Sequence, residues 1–99
     1  MKARLLPVLV QGPSMVPTLR DGDAVLACTG GRVQPGQVVL VRFRARPDLL
    51  VVKRVVRAAD TGWWVESDNE FVSDDSRAYG TADVVARVVL RYWPRPRWL

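Results

Sequence analysis

Two side chains of this sequence could together perform nucleophilic catalysis: a serine in a constrained loop and a lysine in an apolar strand. Ser14 lies in QGPSMVPTLRDGD, where glycine and two prolines predict an irregular, rigid backbone. Such a loop can aim a hydroxyl, and its N–H groups can stabilise an oxyanion. The serine would still need a base to remove its proton. Taken alone, the pattern favours a loop serine that hydrogen-bonds nearby backbone.

The candidate base is Lys53, which interrupts the apolar stretch LLVVKRVV. Side chains alternate between the two faces of a strand, so Lys53 shares a face with Val51 and Val55. Burial there would lower the pKa of the ammonium, and a neutral lysine can act as a general base. Arginine cannot, and thirteen of the fifteen basic residues are arginine. Taken alone, the strand favours a lysine that reaches outward or pairs with a carboxylate.

The composition excludes most other known sets of catalytic residues. The 99 residues predict a single domain over residues 1–99. The absence of histidine excludes Ser-His-Asp triads, Cys-His dyads and nearly every zinc site. Cys28 is the one cysteine, so no intramolecular disulfide is expected. A small domain without a disulfide fits a reducing compartment.

The charge is unevenly distributed along the chain. The net charge is +5, with +7 in residues 1–59 and −2 in residues 60–99. A basic β-module could bind nucleic acid through the arginines and tryptophans of the tail. The sequence has no RNP-type aromatic motif, however. We therefore expect most arginines to lie on solvated sheet faces, and we expect no nucleic acid partner.

Residues 67–80, SDNEFVSDDSRAYG, concentrate acidic side chains and serines, and we call them the acidic segment. It could be a polar loop with Asx turns or a calcium site. Its spacing does not match an EF-hand loop. We therefore expect no metal site and no cofactor.

Short valine-rich runs separated by glycine, proline and aspartate predict an all-β, mainly antiparallel fold. We expect one small, partly closed sheet or barrel, with an irregular tail over residues 94–99. A membrane-spanning helix needs roughly 20 apolar residues, and no run of that length is present, so we expect no helical anchor and a cytoplasmic location. The predicted strands are Leu5–Gln11, Ala24–Cys28, Gln37–Ala45, Leu49–Ala58, Trp63–Ser67 and Val84–Trp93.

The order GPSMVPTL, then VVKRVV, then SDNEFVSDDSRAYG resembles the S26 family of signal peptidases over residues 12–80. The resemblance implies a serine–lysine dyad on the all-β core that signal peptidases share with LexA-like proteins. Ser14 would be the nucleophile and Lys53 the general base. We expect Met15 and Pro17, beside the serine, to shape the substrate site.

The acidic segment, residues 67–80, contains the supporting residues that the resemblance implies. Ser73 matches the serine that hydrogen-bonds the catalytic lysine. Asp75 and Arg77 match a pair that braces the site. Asp68 and Asn69 match the Asp-Asn pair near the start of the segment.

The sequence departs from the family's pattern at two positions close to these residues. Ser67 replaces the glycine that opens the acidic segment in the family. Gly12 stands where some membrane-anchored members carry a serine that helps to bind the oxyanion. The oxyanion would then be held mainly by backbone N–H groups, including that of Ser14.

Within the family, GPSMVPTL, the WWV before the Asp-Asn pair and the C-terminal LRYWPRP are most similar to proteases that mature nickel-type superoxide dismutase. This similarity implies that the partner is the dismutase precursor, whose leader peptide is removed, and that nickel belongs to the substrate. The alternative is a self-cleaving regulatory domain of the LexA repressor type, which uses the same dyad on its own chain. The Ala-Gly or Cys-Gly bond that such domains cleave does not occur in this sequence.

Overall fold

The computed structural model describes residues 2–99, which form seven strands and one short helix. No helix in that part of the chain is long and apolar enough to cross a membrane. The longer strands coincide with the valine-rich runs, because β-branched side chains fit a pleated, half-buried surface. In chain order the elements are β1 (Leu5–Leu9), β2 (Ala24–Cys28), β3 (Val38–Phe43), β4 (Arg46–Ala58), β5 (Trp63–Glu66), α1 (Ser76–Tyr79), β6 (Ala82–Trp93) and β7 (Arg97–Trp98).

The strands form one antiparallel sheet in the order β1-β2-β6-β3-β4-β5, with β7 paired to β6. One further pairing, between Trp63 and Ala82, joins β5 back to β6. Strands β6, β3, β4 and β5 therefore form a partial ring. The prediction of an all-β, partly closed fold is confirmed.

The central strand β3 is buried on both faces and divides the core in two. Val38 and Leu40 belong to one buried cluster, and Val39 and Val41 belong to the other. This division follows from the alternation of side chains along a strand. Because β3 pairs with β4, Lys53 is held opposite Val39. The most deeply buried strand of the fold thus positions the candidate base.

The predicted strand bounds differ from the observed ones by at most three residues. The largest difference is at β4, which begins at Arg46 and not at Leu49. A two-residue turn joins the two strands there, and Arg46 already pairs with Phe43 of β3.

The prediction of an irregular tail is wrong for two residues. Arg97 and Trp98 form β7 and pair with Arg91 and Leu90 of β6. The edge of β6 that faces β3 is covered by β3 only as far as Arg87. The rest of that edge is open to the returning chain, which adds a strand to it.

Helix α1 is a second unpredicted element. Asp75 caps its beginning by accepting the backbone N–H of Arg77, and Gly80 follows its end at a φ of 78°. An aspartate at the N-cap satisfies an N–H that the first turn leaves free. The single turn brings the end of the acidic segment back against β5, where Ser76 Oγ accepts the N–H of Val65 over 2.9 Å.

Candidate active site

Ser14 lies in a loop whose ends are tied together and whose neighbours are anchored in the core. The N–H of Val10 donates to the carbonyl oxygen of Asp23 over 2.8 Å, which closes the base of the loop. Met15 and Leu19 are fully buried in the first core cluster. Since both side chains are held in close-packed surroundings, the loop cannot shift without opening the core. Ser14 itself is half-buried.

Gly12 has a backbone conformation that favours glycine. Its φ is 82°, in the left-handed region that L side chains rarely adopt. A Cβ placed there would meet nothing within 4 Å among residues 2–99, so conformation and not crowding favours glycine. Its N–H donates to Asp21 Oδ1 over 2.7 Å. The turn that leads into Ser14 is therefore built around Gly12.

Lys53 is buried, with 3% of its surface exposed. Burial lowers the pKa of its ammonium below the usual range, against the opposing pull of the Asp75 and Asp74 carboxylates. Desolvation disfavours the charged form of a lysine. The interpretation that the strand alone favours, a lysine reaching outward, is therefore wrong. The partial ring is the cause, because the segment after β5 folds over the end of the lysine side chain.

The hydroxyl that holds Lys53 is that of Ser67. Lys53 Nζ donates to Ser67 Oγ over 3.1 Å. Ser73, which the resemblance implies for this contact, is exposed, and within residues 2–99 no hydrogen bond joins it to Lys53. The structure therefore corrects the expectation for Ser73. Ser67 is the residue that departs from the family's glycine, and it supplies an acceptor that glycine lacks.

Asp75 is the buried centre of the acidic segment, with no exposed surface. Its carboxylate accepts the N–H of Ser67 over 2.7 Å and forms an ion pair with Arg77 at 2.7 Å. Burial alone would raise the pKa of Asp75, but the Arg77 side chain and the N–H groups of Ser67 and Arg77 outweigh it and lower the pKa to about 2. Asp75 therefore stays ionised and fixes the backbone at Ser67.

Asp68 joins β4 to the loop of Ser14. Arg54, the neighbour of Lys53, donates from Nε and Nη2 to the two oxygens of this carboxylate over 3.0 and 2.6 Å. Thr18 Oγ1 donates to the same carboxylate over 2.6 Å. Paired guanidinium–carboxylate bonds fix geometry as well as contributing energy. The contacts thus set the position of one segment against the other.

Asn69 continues this connection to the residues at the candidate nucleophile. Its backbone N–H donates to the carbonyl oxygen of Ser14 over 2.9 Å. Its side-chain Nδ2 donates to the carbonyl oxygen of Pro13 over 3.0 Å. Three consecutive residues, 67–69, therefore contact the lysine, the arginine beside it and the serine loop in turn. We call residues 67–69 the clamp.

Two cavities open beside Ser14. One, of about 330 Å³, is lined by Ser14 and Lys53 together, and by Gly12, Val72 and Tyr79 among others. The candidate nucleophile and base therefore face the same space. The other, of about 290 Å³, is lined mainly by apolar residues of β1 and β4.

Met15 and Pro17, which we expect to shape the substrate site, differ in where they lie. Met15 lines the apolar cavity beneath Ser14 while its side chain fills the core. Pro17 is exposed, and it is not among the residues that line the two cavities beside Ser14. Its neighbour Thr18 turns inward, toward Asp68.

The apolar cavity lies between two strand edges. Strand β1 pairs with β2 along one edge, and β5 covers β4 only from Arg54 onward. Residues 8–11 and 49–52 line the cavity from its two sides. Within the described part of the chain, the main-chain groups of these facing edges have no strand partner. An extended peptide can therefore add to either edge through main-chain hydrogen bonds.

Three residues of the site carry no role in the sequence analysis: Ser67, Arg54 and Thr18. A signal existed for Ser67, since the serine replaces the family's glycine and falls beside the Asp-Asn pair. Arg54 and Thr18 gave no such signal, because a charge or hydroxyl in a strand or loop does not reveal its partner. Asp68 brings the last two together.

Residues 2–89 match the protein-family model described as Peptidase S24-like. The match includes the loop of Ser14, strand β4 with Lys53 and the whole clamp. It spans most of the chain and shows the family.

Several curated proteins are similar over most of their length. The mitochondrial ATP-independent inner membrane protease subunit 1a of Arabidopsis thaliana is 32% identical over 115 aligned residues, covering 86% of this chain and 68% of that protein. The mitochondrial inner membrane protease subunit 1 of Xenopus tropicalis is 28% identical, over 88% of this chain and 68% of its own length. The human protein of the same name is also 28% identical. The chain therefore belongs to the S24-like peptidases, within the S24/S26 signal peptidase superfamily, and is a serine peptidase.

Proposed function

We propose that this serine peptidase is an endopeptidase that removes a leader peptide from a precursor protein, with Ser14 as nucleophile and Lys53 as general base. The observation that carries the proposal is the buried Lys53 in the cavity that Ser14 also lines. Because burial lowers the pKa of the lysine, its amine becomes neutral at a lower pH than usual. A neutral amine can accept the serine proton.

The reaction follows from this arrangement. Ser14 Oγ attacks the scissile carbonyl carbon while its proton passes to Lys53 Nζ. Backbone N–H groups of the loop stabilise the oxyanion that forms. Lys53 then gives the proton to the leaving amine as the C–N bond breaks, which leaves an acyl ester on Ser14. Water attacks this ester, Lys53 takes the water's proton, and that proton returns to Ser14 Oγ as the acid product leaves.

The substrate binds as an extended strand. The groove between β1 and β4 has an open strand edge on each side, and Ser14 is among the residues that line it. Its lining is mostly apolar, with Val8 and Leu49 on opposite sides. Main-chain hydrogen bonds would supply affinity, and the apolar cavity would select the side chains that point into it.

The precursor of nickel-type superoxide dismutase is the substrate that we propose. Support comes from the similarity of GPSMVPTL, WWV and LRYWPRP to the proteases that mature this dismutase. Nickel would bind the mature substrate and not the protease, since this sequence has no histidine.

Incubation with that precursor tests the proposal. Wild-type protein and the Ser14→Ala variant are mixed with it at mildly alkaline pH, and intact mass and N-terminal sequencing locate any cut. One cut at the leader junction, absent in Ser14→Ala, is the expected result. A leader peptide of another precursor cut in its place would overturn the substrate alone. Cleavage of the protease's own chain would favour the self-cleaving alternative, and a cut that persists in Ser14→Ala would overturn the nucleophile.

A further inference from the structure

We propose that Ser67 is the residue that positions the amine of Lys53, in the role that the family's pattern gives to Ser73; this inference rests on the proposed function. Lys53 Nζ donates to Ser67 Oγ over 3.1 Å. Ser67 is half-buried beside the lysine, whereas Ser73 is exposed. The serine that replaces the family's glycine has thus taken over the contact.

The Ser67 hydroxyl is held in place by its own backbone. The N–H of Ser67 donates to Asp75 Oδ2 over 2.7 Å, and Asp75 is fully buried. Arg77 Nη2 donates to the same carboxylate over 2.7 Å and to the carbonyl oxygen of Val72 over 3.0 Å. A buried carboxylate thus fixes the backbone at Ser67. Rotation about the Cα–Cβ bond is then the one remaining freedom that decides whether the hydroxyl oxygen stays on Lys53.

A hydroxyl suits both protonation states of the lysine. It accepts a hydrogen bond from the ammonium and can donate one to the neutral amine. A four-carbon side chain has several rotamers, and catalysis requires the amine to stay within hydrogen-bond reach of Ser14 Oγ. The Ser67 contact restricts those rotamers by holding the end of the lysine side chain. Ser67 is therefore a positioning residue, which acts on the reaction through Lys53.

The titratable groups around Lys53 come from two parts of the fold, the acidic segment with its helix α1 and the start of β4. Asp74, Asp75 and Arg77 act on it from the acidic segment. Arg46, at the start of β4, lines the cavity that Lys53 faces. Tyr79 of α1 lines the same cavity. Removal of the Ser67 hydroxyl leaves all these groups in place, so a change in lysine titration reports the hydroxyl itself.

The discriminating experiment compares Ser67→Ala with Ser73→Ala. A fluorogenic peptide spanning the leader junction of the nickel superoxide dismutase precursor serves as substrate, and kcat is measured against pH. A hydrogen bond to a charged group is worth about 10- to 100-fold in rate when lost, so Ser67→Ala is expected to lose that much kcat. Ser73→Ala is expected to lose at least about ten times less. In Ser67→Ala the ammonium of Lys53 loses a charge-assisted hydrogen bond that favours the charged form, so the pKa of Lys53 falls. We therefore expect kcat to begin its increase at a lower pH in this variant than in wild type.

Ser67→Thr keeps the hydroxyl and is expected to restore most of the activity that Ser67→Ala loses. Direct titration of the Lys53 amine by NMR gives the same comparison without turnover, and urea unfolding shows whether each variant folds. A loss in Ser73→Ala equal to or greater than that in Ser67→Ala would overturn the inference, as would an unchanged Lys53 titration in Ser67→Ala. If wild-type protein cleaves nothing, or Ser14→Ala cleaves equally well, the proposed function fails first, and the NMR comparison still decides the contact.

Discussion

The backbone N–H of Asn69 donates to the carbonyl oxygen of Ser14 over 2.9 Å, and this bond joins the segment that follows β5 to the loop of the candidate nucleophile. Two residues earlier, Ser67 accepts a bond from Lys53. The residue between them, Asp68, holds Arg54. One short stretch thus sets the distance between a serine and a lysine that are 39 positions apart in the chain.

Replacing the Asn69 side chain tests this connection. In Asn69→Asp the Nδ2 donor becomes a carboxylate oxygen that faces the carbonyl oxygen of Pro13. We expect kcat/KM to fall by about 5-fold, the effect of losing one hydrogen bond worth roughly 1 kcal/mol. Peptide cleavage measures the loss, with Gln34→Glu, an exposed amide that likewise becomes a carboxylate, as the matched variant. Equal activity in the two variants would show that the side chain of Asn69 does not hold the loop.

Lys53→Met tests the cost of burying the lysine. The variant lacks the amine that would act as general base, and we expect kcat to fall by at least about 10²-fold. Because the folded pKa of Lys53 is lowered, the unfolded state binds more protons between the folded and unfolded values, and stability rises with pH through that window. Below that window wild type carries the full burial cost, so Lys53→Met should be the more stable protein at neutral pH.

Urea unfolding of the two proteins from neutral to alkaline pH measures this difference. We expect the advantage of Lys53→Met to shrink as pH rises toward the ordinary lysine value of 10.5. A constant difference in the free energy of unfolding across that range would mean that the lysine is not desolvated.

Protonation of Asp75 is expected to lower the free energy of unfolding in acid. The pKa of Asp75 is lowered from 3.8 to about 2, so its contribution is fully present above the unfolded value and is lost as pH falls toward 2. The shift corresponds to about 2 kcal/mol. Asp75→Asn should lose this pH-dependent part, and its free energy of unfolding should vary less between pH 5 and pH 2 than that of wild type.

The control for Asp75 is Asp60→Asn, at an exposed turn position. Its unfolding should follow the wild-type dependence on pH. Parallel acid curves for wild type and Asp75→Asn would contradict the assignment of Asp75 as the buried ion that fixes the segment.

The strand-edge groove predicts that substrate affinity depends on main-chain N–H groups. N-methylation of one peptide N–H removes a donor without changing the side chain. We expect methylation at a residue that pairs with β1 or β4 to lower kcat/KM by up to about 10-fold. A methyl scan along the leader junction measures this, and the sensitive positions should alternate. A peptide that tolerates methylation at every position would not bind as an added strand.

The pairing of Ser14 with Lys53 is a prediction from three motifs that follow the order of the S26 family, since each residue alone favours a structural role. The strands themselves were largely predictable from the sequence, because alternation and turn residues act locally. The depth of Lys53 was not, since it depends on the segment that crosses over it after β5. The same limit applies to Ser73 and Ser67. Spacing along the chain matches Ser73 to the family's serine, but the bonds around Asp75 present Ser67 to the lysine.

The tail shows a different limit. Its two prolines predict irregular structure, because proline cannot donate to a ladder. Residues 97–99 can still donate, and the open edge of β6 supplies the partner; Leu99 N–H reaches the carbonyl oxygen of Val89 over 3.0 Å. That edge becomes visible only when the order of the strands is known.

Trapping the acyl-enzyme shows whether Ser14 is the nucleophile and whether its acylation needs Lys53. A peptide ester with the leader-junction sequence is mixed with wild type, Ser14→Ala and Lys53→Arg at mildly alkaline pH, the reaction is stopped with acid, and peptide mapping by mass spectrometry locates the adduct. We expect one acyl group on Ser14 in wild type, none in Ser14→Ala and almost none in Lys53→Arg, because arginine cannot accept the proton. An adduct on another residue would show that Ser14 is not the nucleophile, and acylation of Lys53→Arg at the wild-type rate would show that Lys53 is not the base.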